Sequence, residues 1–176
     1  RQRCAFCREP APKSDEESLK LSMKRIKKNN DPVAMGHMGE THRNEGDYES
    51  AFEYLTKAAE LGDVGAHFGL SCLYWKGDGV AKDMKKAIYH LEEAAIGGHA
   101  SARHNLGVES GINRRFERAR NHFIIAANLG NKDSLKCLKE LYANGHASKE
   151  DYADSLRAYQ AAVEATKSAQ RDEAEV

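Results

Sequence analysis

Two cysteines near the start of the sequence, Cys4 and Cys7 in C-A-F-C, have the spacing of metal-binding and redox thiol pairs. Two thiolates do not complete a tetrahedral zinc site, which needs four ligands, and the next histidine along the chain is His37. A thioredoxin-type pair requires a preceding strand and a βαβ context, which this sequence does not indicate. Three interpretations therefore stay open: half of a zinc site, a redox pair, and a chance pair in a disordered segment.

The overall composition favours a protein partner over a nucleic acid or a membrane. Lys plus Arg and Asp plus Glu number 27 each among 176 residues, so the net charge is zero and no basic footprint is expected for phosphates or anionic lipids. No apolar run approaches the roughly 18 residues of a membrane-spanning helix. The four cysteines do not form a disulfide framework, so we expect a reducing compartment, cytoplasmic or nuclear.

A repeated pattern of small residues runs through most of the chain. The phrases A-A-E-L-G-D, A-A-I-G-G-H and A-A-N-L-G-N occur at 58–63, 94–99 and 126–131. Each unit has two small anchor residues, the first at Ala34, Ala66, Ala102 or Ser134 and the second at Ala51, Ala87, Ala119 or Ser155. From a second anchor to the next first anchor is always 15 residues, whereas the two anchors of a unit are 17 or 21 apart. Four helix–turn–helix units with one variable loop are therefore predicted, at about 31–65, 66–101, 102–133 and 134–166.

The residues around the anchors predict tightly packed helices. In each second helix, a large residue lies four positions after the anchor, and small residues lie after this large residue. Rows of large and small residues let neighbouring helices interlock. The large residues are Leu55, Leu91, Phe123 and Tyr159. Glycines three positions past the paired alanines predict left-handed helix ends, at Gly62, Gly98 and Gly130. The fold class is therefore predicted as all-α, an α-solenoid.

The two ends of the chain differ from the repeats. Ser14 and Glu17 form the pattern of a capping box, which predicts a cap helix at 13–30. Leu19, Met23 and Ile26 lie on one stripe of this helix, and we expect the stripe to cover the first repeat. Residues 167–176 form a polar tail, which we expect to fray.

The histidines and the two isolated cysteines are interpreted as packing residues. His90 and His122 occupy the repeat position that Tyr54 fills in the first unit, which indicates a place for a ring. Cys72 and Cys137 lie beside apolar residues with no activating His–acid pair, so buried and inert thiols are expected. No catalytic residue and no cofactor-binding residue is predicted.

At this point the chain resembles the Sel1-like repeat proteins, which are relatives of the tetratricopeptide repeat. The fullest match is residues 66–101, with Leu70, Tyr74, Gly77, Gly79, Val80, Asp83, Lys86, Ala87, Tyr89, Ala94, Ala95 and Gly98. The resemblance covers about 31–166, and units one and three lack the long G-x-G-V loop. It implies a right-handed superhelix of helix pairs that serves as an adaptor scaffold without an active site.

The opening segment is similar to the last ligand pair of a RING finger, usually written C-P-x-C, with Ala5 in place of the proline. This resemblance implies that residues 1–12 are the end of a RING finger and are otherwise disordered. A first residue that is Arg1 and not Met agrees with a longer parent chain. Cys4 and Cys7 are then two of eight zinc ligands; this chain alone holds no zinc stably, and a complete finger upstream would bind zinc and a ubiquitin-conjugating enzyme.

Two functions follow as hypotheses. The first is a non-enzymatic scaffold or adaptor that binds other proteins or peptides along the solenoid surface. The second is the C-terminal part of a RING-type ubiquitin ligase whose repeats recruit the substrate. Trp75 is the only tryptophan, and the family pattern requires no aromatic residue at its position. Because tryptophan contributes large contact energies at interfaces, Trp75 is the candidate partner-binding residue.

Overall fold

The computed structural model describes residues 14–174, and within them the chain forms α-helices and no strand. The interpretation of residues 1–12, with Cys4 and Cys7, lies outside this range. The described helices are α1 (Asp15–Asn29), α2 (Pro32–Glu45), α3 (Tyr48–Glu60), α4 (Val64–Lys76), α5 (Met84–Ile96), α6 (Ala100–Ile112), α7 (Phe116–Asn128), α8 (Lys132–Ala143) and α9 (Lys149–Ala174).

The helices form consecutive antiparallel pairs that stack in chain order. The pairs are α2–α3, α4–α5, α6–α7 and α8–α9, and each pair contains the two anchor residues of one repeat unit. Each pair also contacts the next one, α3 against α4, α5 against α6 and α7 against α8, while α1 packs against α2. This arrangement confirms the prediction of an α-solenoid built from helix–turn–helix repeats.

The anchor residues lie at the centre of this packing. All eight are buried, with no more than 1% of their surface exposed. The large residues of the second helices fill the space beside them, and Leu55, Leu91 and Phe123 are also buried. Tyr159, their counterpart in α9, is only partly buried, because in the described part of the chain no further helix stacks on the fourth unit.

Polar caps and glycines set the ends of the helices. The Ser14 hydroxyl accepts a hydrogen bond from the Glu17 amide at 3.2 Å, as a capping box requires. Between units, Gly62, Gly98 and Gly130 have φ values of 85°, 88° and 87°. Only glycine adopts this left-handed conformation cheaply, so these residues end the second helices where the sequence predicts.

The two terminal helices differ in detail from the sequence-based description. Met23 is 45% exposed, and the buried polar residue of α1 is Ser22, whose hydroxyl lies 3.2 Å from Nδ1 of His37. Ile26 does pack against the first core cluster. At the other end, α9 continues past Thr166 to Ala174, because residues 167–174 are good helix formers without a Gly or Pro to stop the helix.

Candidate protein-binding groove between α4 and α6

A cavity of about 290 Å³ opens between the first helices of the second and third units, α4 and α6. Leu91 of α5 contributes to its wall. Trp75 is 37% exposed and lines the cavity. The other lining residues are Ser71, Cys72, Lys76, Asn105 and Val108. We call this cavity, together with the exposed side chain of Ile112 one turn beyond Val108, the α4–α6 groove.

The second and third units carry different residues at the equivalent position that borders the groove. Gly69 of α4 lies at the repeat position that Asn105 occupies in α6. A Cβ atom on Gly69 would come within 2.6 Å of Glu40 Oε1, so its absence allows α2 and α4 to pack in direct contact. Between α4 and α6, the equivalent position is Asn105, which has a full side chain. The space between these two helices is partly open.

The surface of the groove is mostly apolar. Val108 is 38% exposed and Ile112 is 72% exposed, and they follow each other by one turn on the same face of α6. Trp75 of α4 lines the same cavity as Val108. Lys76 is the one charged side chain among the residues that line the cavity, and its nearest acidic partner is Asp78, with Nζ and Oδ2 4.0 Å apart. Apolar contact is therefore the main chemistry that this groove offers.

The thiol in the groove is not an activated nucleophile. Burial raises the pKa of Cys72, against the opposing effect of the Arg43 guanidinium. Arg43 is itself held by Glu40, whose Oε2 accepts a hydrogen bond from Arg43 Nε at 3.1 Å. Burial also raises the pKa of Cys137, and both cysteines are free thiols. The two thiols therefore stay protonated at neutral pH, as expected for inert packing residues.

Two of the three equivalent ring positions, Tyr54 and His90, are occupied by stacked rings. His90 stacks on Tyr74 with ring centroids 5.7 Å apart, and Tyr54 stacks on His42 at 5.5 Å. The Nδ1 atoms of His90 and His67 are 3.0 Å apart, a contact that the sequence did not reveal because the two residues occupy different offsets in different helices. Among residues 14–174, no group of three or more His, Cys, Asp or Glu side chains is arranged to hold a metal ion.

Burial lowers the pKa of His90 to about 4, with further contributions from His67 and Lys86. The ring is therefore neutral at neutral pH, and one of the two facing Nδ1 atoms donates to the other. Burial also lowers the pKa of three other histidines, His99, His104 and His122. The histidines thus belong to the packing between helices, which is the role that the repeat positions of His90 and His122 indicate.

The structure places Trp75 in the groove, together with residues that sequence reasoning did not select. Val108 and Ile112 are apolar residues four apart on a helix and outside the anchor positions, and that spacing could have identified them. Cys4 and Cys7 lie outside the described residues. In the described part of the chain, no helix has both the length and the apolar character needed to cross a membrane.

Comparison with known proteins identifies the repeats. A family model described as "Sel1 repeat" matches residues 34–63, 64–99 and 100–131, which together are more than half of the chain. These matches correspond to the first three helix pairs, whereas the fourth pair lies outside them. A search of curated proteins found no significant match.

Two solved structures are similar to the chain. One is a Sel1 repeat protein from Oxalobacter formigenes, with 32% sequence identity and a TM-score of 0.70, over 87% of this chain and 66% of that one. The other is c5321, a protective antigen of uropathogenic Escherichia coli that displays an SLR fold, with 22% identity, a TM-score of 0.67 and coverage of 86% and 34%. The second likeness concerns the fold alone. The chain spans less than two thirds of the length of either protein. With three matched repeats and a solenoid of four helix pairs, the chain belongs to the Sel1 repeat family.

Proposed function

We propose that the chain is a non-enzymatic protein-interaction scaffold and that the α4–α6 groove, with Trp75 in its wall, binds a segment of a partner protein. Sel1 repeat proteins are in general protein-interaction scaffolds. The observation that carries the proposal for this chain is the partly exposed tryptophan in a mostly apolar cavity. Binding energy at interfaces concentrates in such aromatic residues when a partner fills the pocket beside them.

The remaining groups of the described residues support binding and not catalysis. The two thiols have raised pKa values, and the histidines with shifted pKa values are neutral rings in the packing. Covalent catalysis needs a nucleophile with an adjacent base, and the groove supplies a partly buried thiol with a raised pKa. The free thiols of Cys72 and Cys137 also agree with the reducing, cytoplasmic or nuclear compartment that we propose.

The test is a comparison of partners retained from a cell lysate by the tagged chain and by two variants. Trp75→Ala removes the indole side chain that lines the groove. Tyr89→Ala is the matched control, because Tyr89 is a 54% exposed aromatic residue of α5 that does not line the cavity. We expect quantitative mass spectrometry to show partners that are lost with Trp75→Ala and kept with Tyr89→Ala. Identical sets of proteins with all three baits would contradict the proposal.

A second candidate function rests on Cys4 and Cys7. The C-A-F-C-R-E-P segment resembles the end of a RING finger, so the repeats could recruit the substrate of a ubiquitin ligase that also binds a ubiquitin-conjugating enzyme. The intact mass of the endogenous protein in native and in acidified buffer tests this candidate. A heavier chain that releases two zinc ions on acidification would support the ligase. A metal-free chain of about the mass of these residues would reject it.

A further inference from the structure

We propose that the α4–α6 groove selects an acidic amphipathic helix: a partner segment with apolar residues one turn apart and a carboxylate that reaches Lys76. This inference deepens the proposed function and rests on it. It names the chemistry of the partner, which the family does not define.

The size of the cavity fits protein side chains. Pockets for small molecules and cofactors usually measure about 300–1,000 Å³ and enclose most of the ligand. The cavity between α4 and α6 measures about 290 Å³, which is at the lower limit of that range. Its apolar surface also continues outward to Ile112, which is 72% exposed and lies outside the cavity. A partner segment could insert one bulky side chain into the cavity and pack a second one against Ile112.

The apolar residues of the groove are arranged along a helix axis. Val108 and Ile112 are four residues apart on α6, which corresponds to about 6 Å along the helix. A partner helix presents its own apolar residues at the same separation, at positions i and i+4. Trp75 of α4 lines the same cavity as Val108, so a partner helix would lie between α4 and α6 with its apolar side toward these two residues and would reach Ile112 one turn further on.

The charge of the groove favours an acidic partner. Lys76 is the one charged residue of the cavity lining, and 62% of its side chain is exposed. The partly buried Asp78 carboxylate has its Oδ2 4.0 Å from Nζ of Lys76, at the long limit of an ion pair, so it offsets the positive charge only in part. On the neighbouring α2, the Glu40 carboxylate is already engaged with Arg43, so it does not neutralise Lys76. A carboxylate on the partner helix next to the inserted side chain therefore meets a positive charge.

The test uses a display library of helical peptides of about 15 residues in which the anchor and charged positions are randomised. The library is selected on the full chain. The tightest peptide is then resynthesised with each acidic residue changed to the amide, and its affinity is measured for the wild type and for Lys76→Glu. Lys85→Glu is the matched control, because Lys85 is an exposed lysine of α5 that does not line the cavity.

We expect the selected peptides to be acidic and to carry bulky residues at i and i+4. Lys76→Glu and the amide substitution should each weaken binding, with the charge reversal costing about tenfold and Lys85→Glu less than twofold. Peptides that need Trp75 but bind Lys76→Glu as tightly as the wild type would overturn this inference and leave the proposed function standing. If no selected peptide and no lysate partner depends on Trp75, both are overturned.

Discussion

Gly39 of α2 lies directly against Leu55 of α3. A Cβ atom at residue 39 would be 2.6 Å from Leu55 Cγ and 3.2 Å from the Leu55 amide nitrogen, and Leu55 is fully buried. The third unit repeats the relationship, because a Cβ on Gly107 would lie 2.6 Å from Cε1 of Phe123. In the first and third units, close packing of the two helices therefore depends on a missing side chain in the first helix and a large one in the second.

We expect Gly39→Ala to destabilise the fold. The added methyl group meets both the side chain and the backbone of Leu55, so one helix must move, which costs about 1–3 kcal/mol. This cost exceeds the gain in helix propensity, which is at most about 1 kcal/mol. The matched control is Gly111→Ala in α6, where the nearest atom outside the helix is 3.9 Å from the added Cβ. Urea titrations should show a lower midpoint for Gly39→Ala alone; an equal or higher midpoint would contradict the packing account.

Arg115→Asp should stabilise the chain. Arg115 precedes α7 and makes no capping hydrogen bond, with φ −88° and ψ 63°. Asp47 precedes α3 with a similar backbone, φ −82° and ψ 77°, and caps that helix through the Ser50 amide. The gain should be about 0.5–1 kcal/mol in the free energy of unfolding. Arg115→Ala is the control, since it loses the same weak contact with Glu109 without adding a cap. Equal stabilities of the two variants would show that α7 is not limited by its missing cap.

The histidines should make the fold less stable in mild acid. Burial lowers the pKa of His90 to about 4 from the model-peptide value of 6.5. Between these two pH values the unfolded chain binds more protons than the folded one, so stability falls as the pH falls from 6.5 toward 4. His99, His104 and His122, whose pKa values are also lowered, act in the same direction.

His90→Tyr, which introduces the residue that the first unit has at this position, should weaken that pH dependence. We expect the thermal midpoint of this variant to fall less between pH 7 and pH 5 than the midpoint of the wild type. Tyr74, which stacks on His90, is unchanged, so the new tyrosine keeps an aromatic ring next to it. Parallel curves for the two proteins would mean that His90 is not among the groups that cause the acid sensitivity.

Substitutions in α1 should separate its buried side from its exposed side. Ile26 packs against the first core cluster, whereas Met23 is 45% exposed. Ile26→Ala should therefore cost at least about 1 kcal/mol and Met23→Ala less than about 0.5 kcal/mol, measured by thermal unfolding. A larger loss for Met23→Ala would restore the sequence-based expectation that Met23 belongs to the stripe that covers the first repeat.

The fold could be predicted from the sequence because each repeat position has one packing role. The constant 15-residue spacing from Ala51 to Ala66, and at the two following intervals, identified residues that the structure buries. The exposure of Met23 was not predicted. On the side of α1 that faces the first repeat, Ser22 is the buried residue, and its hydroxyl contacts His37. The length of α9 was not predicted either, because polarity alone does not end a helix.

The groove could be predicted only in part. The position of Trp75 outside the family pattern identified it as a candidate, and the structure places it in the cavity wall. The cavity itself depends on the separation of α4 and α6. Asn105 borders this cavity, whereas the equivalent Gly69 lets α2 and α4 pack closely. Such a contrast is visible in the sequence, but its consequence requires the packing of α2, α4 and α6 in three dimensions.

The emission of Trp75 tests the central claim most directly, because it is the only tryptophan of the chain. Its spectrum and its quenching by acrylamide are measured with and without a saturating bound partner or selected peptide that contains no tryptophan. Since the free Trp75 side chain is 37% exposed, binding in the groove should shift its emission to shorter wavelengths and reduce its quenching constant. An unchanged spectrum and unchanged quenching in a demonstrably bound complex would show that partners bind elsewhere on the solenoid.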